Sequence, residues 1–132
     1  MKRFCILISI FVLVLVYSCD KQHSISYVVT NESDSRIKVV YNLMYSMSKD
    51  TSIFVSSKSK ATIYIREIDY GRFVSNPEED NDTIWAFTKF LAYNNDSIQN
   101  TTDLKLASRW KYKTINDNNA ELNIEITDAD FK

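Results

Sequence analysis

From Ile37 to Tyr45 the chain alternates between two kinds of side chain with period two. Ile37, Val39, Tyr41, Leu43 and Tyr45 share one face, while Arg36, Lys38, Asn42 and Ser46 share the other. Helical spacing does not fit this pattern; alternation of this length is a strand with one face in a core. Shorter versions recur along the chain. Ile25, Tyr27 and Val29 alternate with Ser26, Val28 and Thr30, and Ile53 and Val55 make a brief strand. Ala61, Ile63 and Ile65 then alternate with Thr62, Tyr64 and Arg66, and Leu122, Ile124 and Ile126 with Glu121, Asn123, Glu125 and Thr127.

The segment 84–93 is apolar on both faces as a strand, yet Ile84, Phe87 and Leu91 also fit one face of a short helix. Its expected form is a turn or short helix over 84–87 leading into a strand over about 89–93. Near the C-terminus Trp110 and Tyr112 point one way, with Arg109, Lys111 and Lys113 pointing the other. Directly opposed residues of an antiparallel pair share a face, so Tyr112 must oppose Leu122 or Ile124. A slip of one residue would set Lys113 against Leu122 and bury a charge. That parity predicts a loop of three or five residues within 115–119 and excludes a two-residue turn.

One glycine and one proline, Gly71 and Pro77, are too few to make the turns between these strands. Asn, Asp and Ser must make them, and they cluster at 31–35, 94–97 and 116–119. The longest irregular stretch, 68–82, holds the acidic run Glu78-Glu79-Asp80-Asn81-Asp82. Six or seven short strands with no sustained helix beyond the N-terminal segment predict an all-β fold, an immunoglobulin-like β-sandwich of antiparallel strands.

The first residues are of another kind. Lys2 and Arg3 precede an almost unbroken apolar run from Phe4 to Tyr17, closed by Asp20-Lys21-Gln22-His23. A basic start and an apolar core of this length make a signal peptide, expected as a helix, and the run is short of the ~20 residues a membrane span needs. Val16-Tyr17-Ser18-Cys19 resembles the bacterial lipobox, with an aliphatic residue, a small one and then cysteine; Tyr17 departs from the usual small or β-branched residue. With the Asn-, Tyr- and Ser-rich domain behind it, the chain resembles small lipoproteins of the Bacteroidetes type. The resemblance implies cleavage before Cys19, lipidation of its sulfur and an outer-membrane address in the cell envelope, on either face. The implied organisation is a lipoprotein signal peptide over 1–18, a lipidated cysteine and tether over 19–24, and a β-sandwich domain over 25–132. Two or three acyl chains hold a protein firmly where one holds it marginally.

Cys5 leaves with the signal, so no internal disulfide is possible in the remainder, and the core alone must hold the fold. Losing Lys2 and Arg3 changes the formal charge from −1 to −3, a weak and mixed balance that offers no basic surface for nucleic acid. Eight Tyr, seven Phe and two Trp are too many for a disordered chain.

Little here points to chemistry. His23 is the only histidine and falls in the tether, so no base stands beside a Ser or Thr nucleophile. With His and Cys exhausted, zinc has no ligand set, and no cofactor motif is present. Glu121 and Glu125 share an exposed face beside Lys111 and Arg109, where ion pairing across the hairpin is the expected role rather than glycoside hydrolysis. The run 78–82 lacks the glycine and ligand spacing of a calcium loop and is expected to be a solvated surface loop. Four Asn-x-Ser/Thr matches, at Asn31, Asn81, Asn95 and Asn100, follow from the composition. Asp82-Thr83-Ile84 and Asp96-Ser97-Ile98 resemble the Bacteroidetes O-glycosylation signal, which makes Thr83 and Ser97 candidate acceptors. Trp110 alternates with core residues and is expected to be buried. Trp85, beside the long loop, is the better candidate for a binding surface, although a place in the core is the first expectation for it too. The functional expectation is a lipid-anchored binding or interaction module for a glycan or an envelope protein, without catalysis. A pilin-like or envelope-assembly subunit and an immunity or inhibitor lipoprotein are the alternatives.

Overall fold

In the computed structural model the described residues are 23–46, 49–68, 76, 78, 80–95 and 97–132. The signal segment, Cys19 and residues 19–22 of the expected tether lie outside them. The strands are β1 (His23–Asn31), β2 (Ile37–Leu43), β3 (Thr51–Val55), β4 (Ser59–Ile68), β5 (Phe87–Asn94), β6 (Ile98–Gln99), β7 (Trp110–Asn116) and β8 (Asn119–Ile126). Two four-stranded sheets form, in the orders β4-β1-β8-β7 and β3-β2-β5-β6. The fold is the expected β-sandwich, but with eight strands among the described residues rather than six or seven, and not all antiparallel. β1 and β8 run parallel, paired from Ser24↔Asn119 to Asn31↔Ile126. β1 also begins two residues early, so His23 and Ser24 are strand residues and not tether.

Apolar residues from both sheets meet in one core. Ile25, Tyr27 and Val29 of β1 face inward with Leu122, Ile124 and Ile126 of β8, against Ile37, Val39, Phe90 and Ala92 from the other sheet. Phe87 is its centre, edge-on to Tyr27 at 5.4 Å and to Tyr41 at 5.9 Å, and stacked on Trp110 at 5.9 Å. Trp110 is buried as expected, and its indole N–H donates to the Leu104 carbonyl at 2.9 Å. A buried indole without such an acceptor would cost roughly 1–3 kcal/mol.

One turn rests on a side chain that the core swallows. Asn31 is fully buried; its amide donates to the carbonyls of Ser35, Val55 and Ser56 at 2.8–3.0 Å, and its oxygen accepts the Ser33 N–H at 3.0 Å. The turn over 31–35 and the end of β3 are thereby tied to one amide. Asn95 takes a left-handed conformation (φ 49°), the role expected of asparagine here, but Lys58 does so too (φ 54°), which its residue type does not predict. Lys58 is held there by an ion pair to Asp34 at 3.1 Å and a hydrogen bond to the Glu32 carbonyl.

The hairpin has the expected register, Tyr112↔Leu122 and Trp110↔Ile124, yet it closes on the two-residue turn the parity argument excluded. Asn116 pairs with Asn119, and a bulge between Thr114 and Asn116 leaves Ile115 over. The extra residue absorbs the odd count, so both inward sets stay in the core. Over 84–87 the chain makes a turn, as expected, and β5 starts at Phe87, two residues before the expected strand.

Beyond β8 a 3-10 turn, Asp128–Phe131, folds the C-terminus back. Asp130, almost fully buried, receives both Arg109 guanidinium nitrogens (2.9 and 3.2 Å), the Thr102 hydroxyl (2.7 Å) and the Thr127 N–H (2.9 Å). Burial by itself would raise its carboxyl. The hydrogen bonds from Arg109, Thr102 and Thr127, with the Arg109 charge, outweigh that and hold it below the usual range.

Candidate functional site

Two breaks in the period of two build a cleft at one end of the sandwich. The first is in β4, where Tyr27↔Tyr64 is followed by Val28↔Thr62 and Ile63 has no partner. Before the bulge Ala61 faces the core. After it, Tyr64, Arg66 and Ile68 share the face of Ile25 and Tyr27, and Ile65 is turned out, 54% exposed. The expected set of Ala61, Ile63 and Ile65 on one face therefore holds only up to Ile63. The Ile63 carbonyl accepts the Tyr41 hydroxyl of the facing sheet at 2.8 Å, which ties the bulge across the sandwich.

The second break ends β2. The Ser46 N–H donates to the Leu43 carbonyl at 3.1 Å and the Met44 N–H to that of Ala86 at 3.0 Å, so the strand turns at 44–45. Tyr45, expected on the core face, is 82% exposed as a result. Its ring stands edge-on to Trp85, with centroids 5.7 Å apart and planes at 87°. On the Trp85 ring lies the Arg66 guanidinium, 4.4 Å from the centroid. Together with Leu43, Met44, Ser46, Tyr64 and Ala86 these three residues line a cleft of about 320 Å³. Small-molecule sites run from roughly 300 to 1,000 Å³, so this one has room for one or two sugar-sized rings.

Trp85 is fixed from behind by Glu78. This carboxylate was expected in a solvated loop, but Glu78 is fully buried. It accepts the Tyr27 hydroxyl at 3.0 Å, the Asn81 amide at 3.2 Å and the Trp85 N–H at 3.4 Å. The chain buries the charge because three donors converge on it. Burial and then the Glu78 charge push the Tyr27 hydroxyl well above its ordinary range, while Arg66 pulls weakly the other way. Glu79, in the same run, lies outside the described residues.

The remaining sequence candidates are dispersed. Thr83 and Ser97 are both exposed, Thr83 in an isolated bridge to Leu106 and Ser97 in the turn before β6. The Asn31 amide is buried and fully engaged, which leaves it out of reach of modification. Lys111 pairs with Glu125 at 2.9 Å, as expected for the hairpin's outer face, whereas Arg109 turns to Asp130 instead. Among the described residues no group of three or more His, Cys, Asp and Glu side chains gathers to hold a metal, and no helix is long and apolar enough to cross a membrane.

Of the cleft's residues, sequence reasoning selected Trp85 alone. Tyr45 and Arg66 were missed because each follows an irregularity that periodicity does not register. No family model, curated protein or solved structure matches this chain.

Proposed function

We propose that this chain is a lipid-anchored cell-envelope protein of the Bacteroidetes lipoprotein type, fixed to the outer membrane through Cys19, whose sandwich binds saccharide. The observation that carries the binding reading is the corner made by Tyr45 and Trp85. Two aromatic rings at right angles, one of them exposed, offer apolar faces to the C–H bonds of a sugar ring, and the hydroxyls of Tyr45, Tyr64 and Ser46 border them. Among the described lining residues no nucleophile stands beside a base, and binding is the reading the cleft supports.

Three of the four sheet edges weigh against the assembly-subunit alternative, while the fourth, β3, is uncharged. β6 has two residues, β4 is bulged and carries Lys60 and Glu67, and β7 carries Lys111 and Lys113. Short, bulged or charged edges resist the strand addition that such a subunit would use.

The test is a glycan array probed with the full-length chain solubilised in detergent, beside Tyr45→Ala and Trp85→Ala. Binding to a defined group of glycans, lost at least tenfold in both variants, is expected. Binding indifferent to both variants, or none at all, overturns the saccharide reading. The anchor has its own test. Cys19→Ala should release the protein from the membrane fraction, and its retention there refutes the lipid anchor.

A further inference from the structure

Arg66 is out of place as a structural residue. The bulge at Ile63 turns it onto the inner face, opposite Ile25, where the alternation of β4 would have left it in water. Its Nη1 is buried without a hydrogen-bond acceptor, and none of the ion pairs found between described residues includes it. Glu78, the nearest buried acid through Tyr27, is already engaged by Tyr27, Asn81 and the Trp85 N–H. Among the eight described residues lining the cleft there is no Asp or Glu. Among its described lining the cleft therefore carries one positive group, set over the Trp85 ring, and no acid. A guanidinium nitrogen buried without an acceptor is costly, and Arg is the side chain best shaped to take a carboxylate or sulfate in a two-pronged contact.

From this we infer that the ligand is an anionic saccharide, with its charged group on Arg66 and its ring in the corner of Tyr45 and Trp85. The inference rests on the saccharide reading above and narrows it to sugars bearing a carboxylate or a sulfate. The contact with the Trp85 ring, 4.4 Å from its centroid, restricts the guanidinium, so less ordering is required when the anion arrives.

Titration calorimetry on the full-length chain in detergent tests it with three probes: trigalacturonic acid, its fully methyl-esterified form, and a sulfated galactose disaccharide. At least one anionic probe should bind ten times or more tighter than the neutral ester, and which one does so distinguishes uronate from sulfate. Arg66→Gln should bring that preference within about twofold while the weak binding of the ester persists. Arg66→Lys, which keeps the charge but not the fork, should fall between, with a melting temperature that shows the fold intact. An ester that binds as well as both anionic probes overturns the anionic assignment and leaves the saccharide reading standing. A preference that survives Arg66→Gln overturns it too. If no probe binds and the array is also blank, both readings fall together.

Discussion

Replacing Asp130 with alanine removes the acceptor of four hydrogen bonds no longer than 3.2 Å and strands the Arg109 guanidinium beside the core. Breaking a buried ion pair by deleting one partner costs about 3–5 kcal/mol. The Arg109 side chain keeps 27% of its exposure against 5% for Asp130, so water screens part of the loss and the expected cost is about 2–4 kcal/mol. Urea denaturation followed by tryptophan fluorescence measures it directly, since Trp110 is the residue next to Arg109. The pH dependence adds a second readout. Because the folded carboxyl lies below aspartate's ordinary 3.8, its stabilisation is fully present above that value and is lost as pH falls through the folded pKa. Asp130→Asn should therefore be less stable than wild type at pH 7, with the difference shrinking as the pH is taken below about 4. A double-mutant cycle with Arg109→Met should return a coupling of at least about 1 kcal/mol. A loss under about 0.5 kcal/mol for Asp130→Ala, or a gap to Asp130→Asn that does not close in acid, would refute the reasoning.

Asn31→Leu should cost about 2–3 kcal/mol in the same denaturation experiment, because the buried Val55 carbonyl and the part-buried carbonyls of Ser35 and Ser56 lose their shared donor. Tyr41→Phe removes only the donor to the bulge carbonyl and should cost about 1–2 kcal/mol, with little change in the denaturant slope. Lys111→Ala, at an exposed pair, should stay within about 0.5 kcal/mol of wild type. Deleting Ile115 should leave the hairpin register intact and change the melting temperature by only a few degrees, whereas deleting Lys111 should unfold the sheet by reversing Trp110.

The sandwich was legible in the sequence because burial on one face forces a period of two, and five of the strands display it. Leu122, Ile124 and Ile126 fixed the pairing of the last hairpin through that constraint alone. What alternation could not register was any residue that breaks it. Ile63, Thr114–Asn116 and the turn at 44–45 each insert a phase change, and beyond each one the expected face is wrong. Tyr45 was read as core and Ile65 as a partner of Ile63 for this reason, and Arg66 was read as a solvent-facing residue. Glu78 failed differently. In an acidic run a solvated role is the ordinary expectation, and the long-range approach of the Tyr27 hydroxyl joins the local donors from Asn81 and Trp85 in making burial tolerable. Trp85 could be selected because it stands beside the irregular loop, while the residues that complete its cleft come from strands distant in sequence.

The parallel pairing of β1 with β8 sets the order in which this molecule can be finished. β1 is a central strand, flanked by β4 on one side and β8 on the other, and its contacts to β8 span distances in sequence such as the 95 residues between Ser24 and Asn119. Until β8 has been delivered, the inner edge of β1 has no partner, and closing so long a loop comes late and slowly. The β4-β1-β8-β7 sheet therefore closes only once β8 has been made, whereas the facing sheet needs none of it.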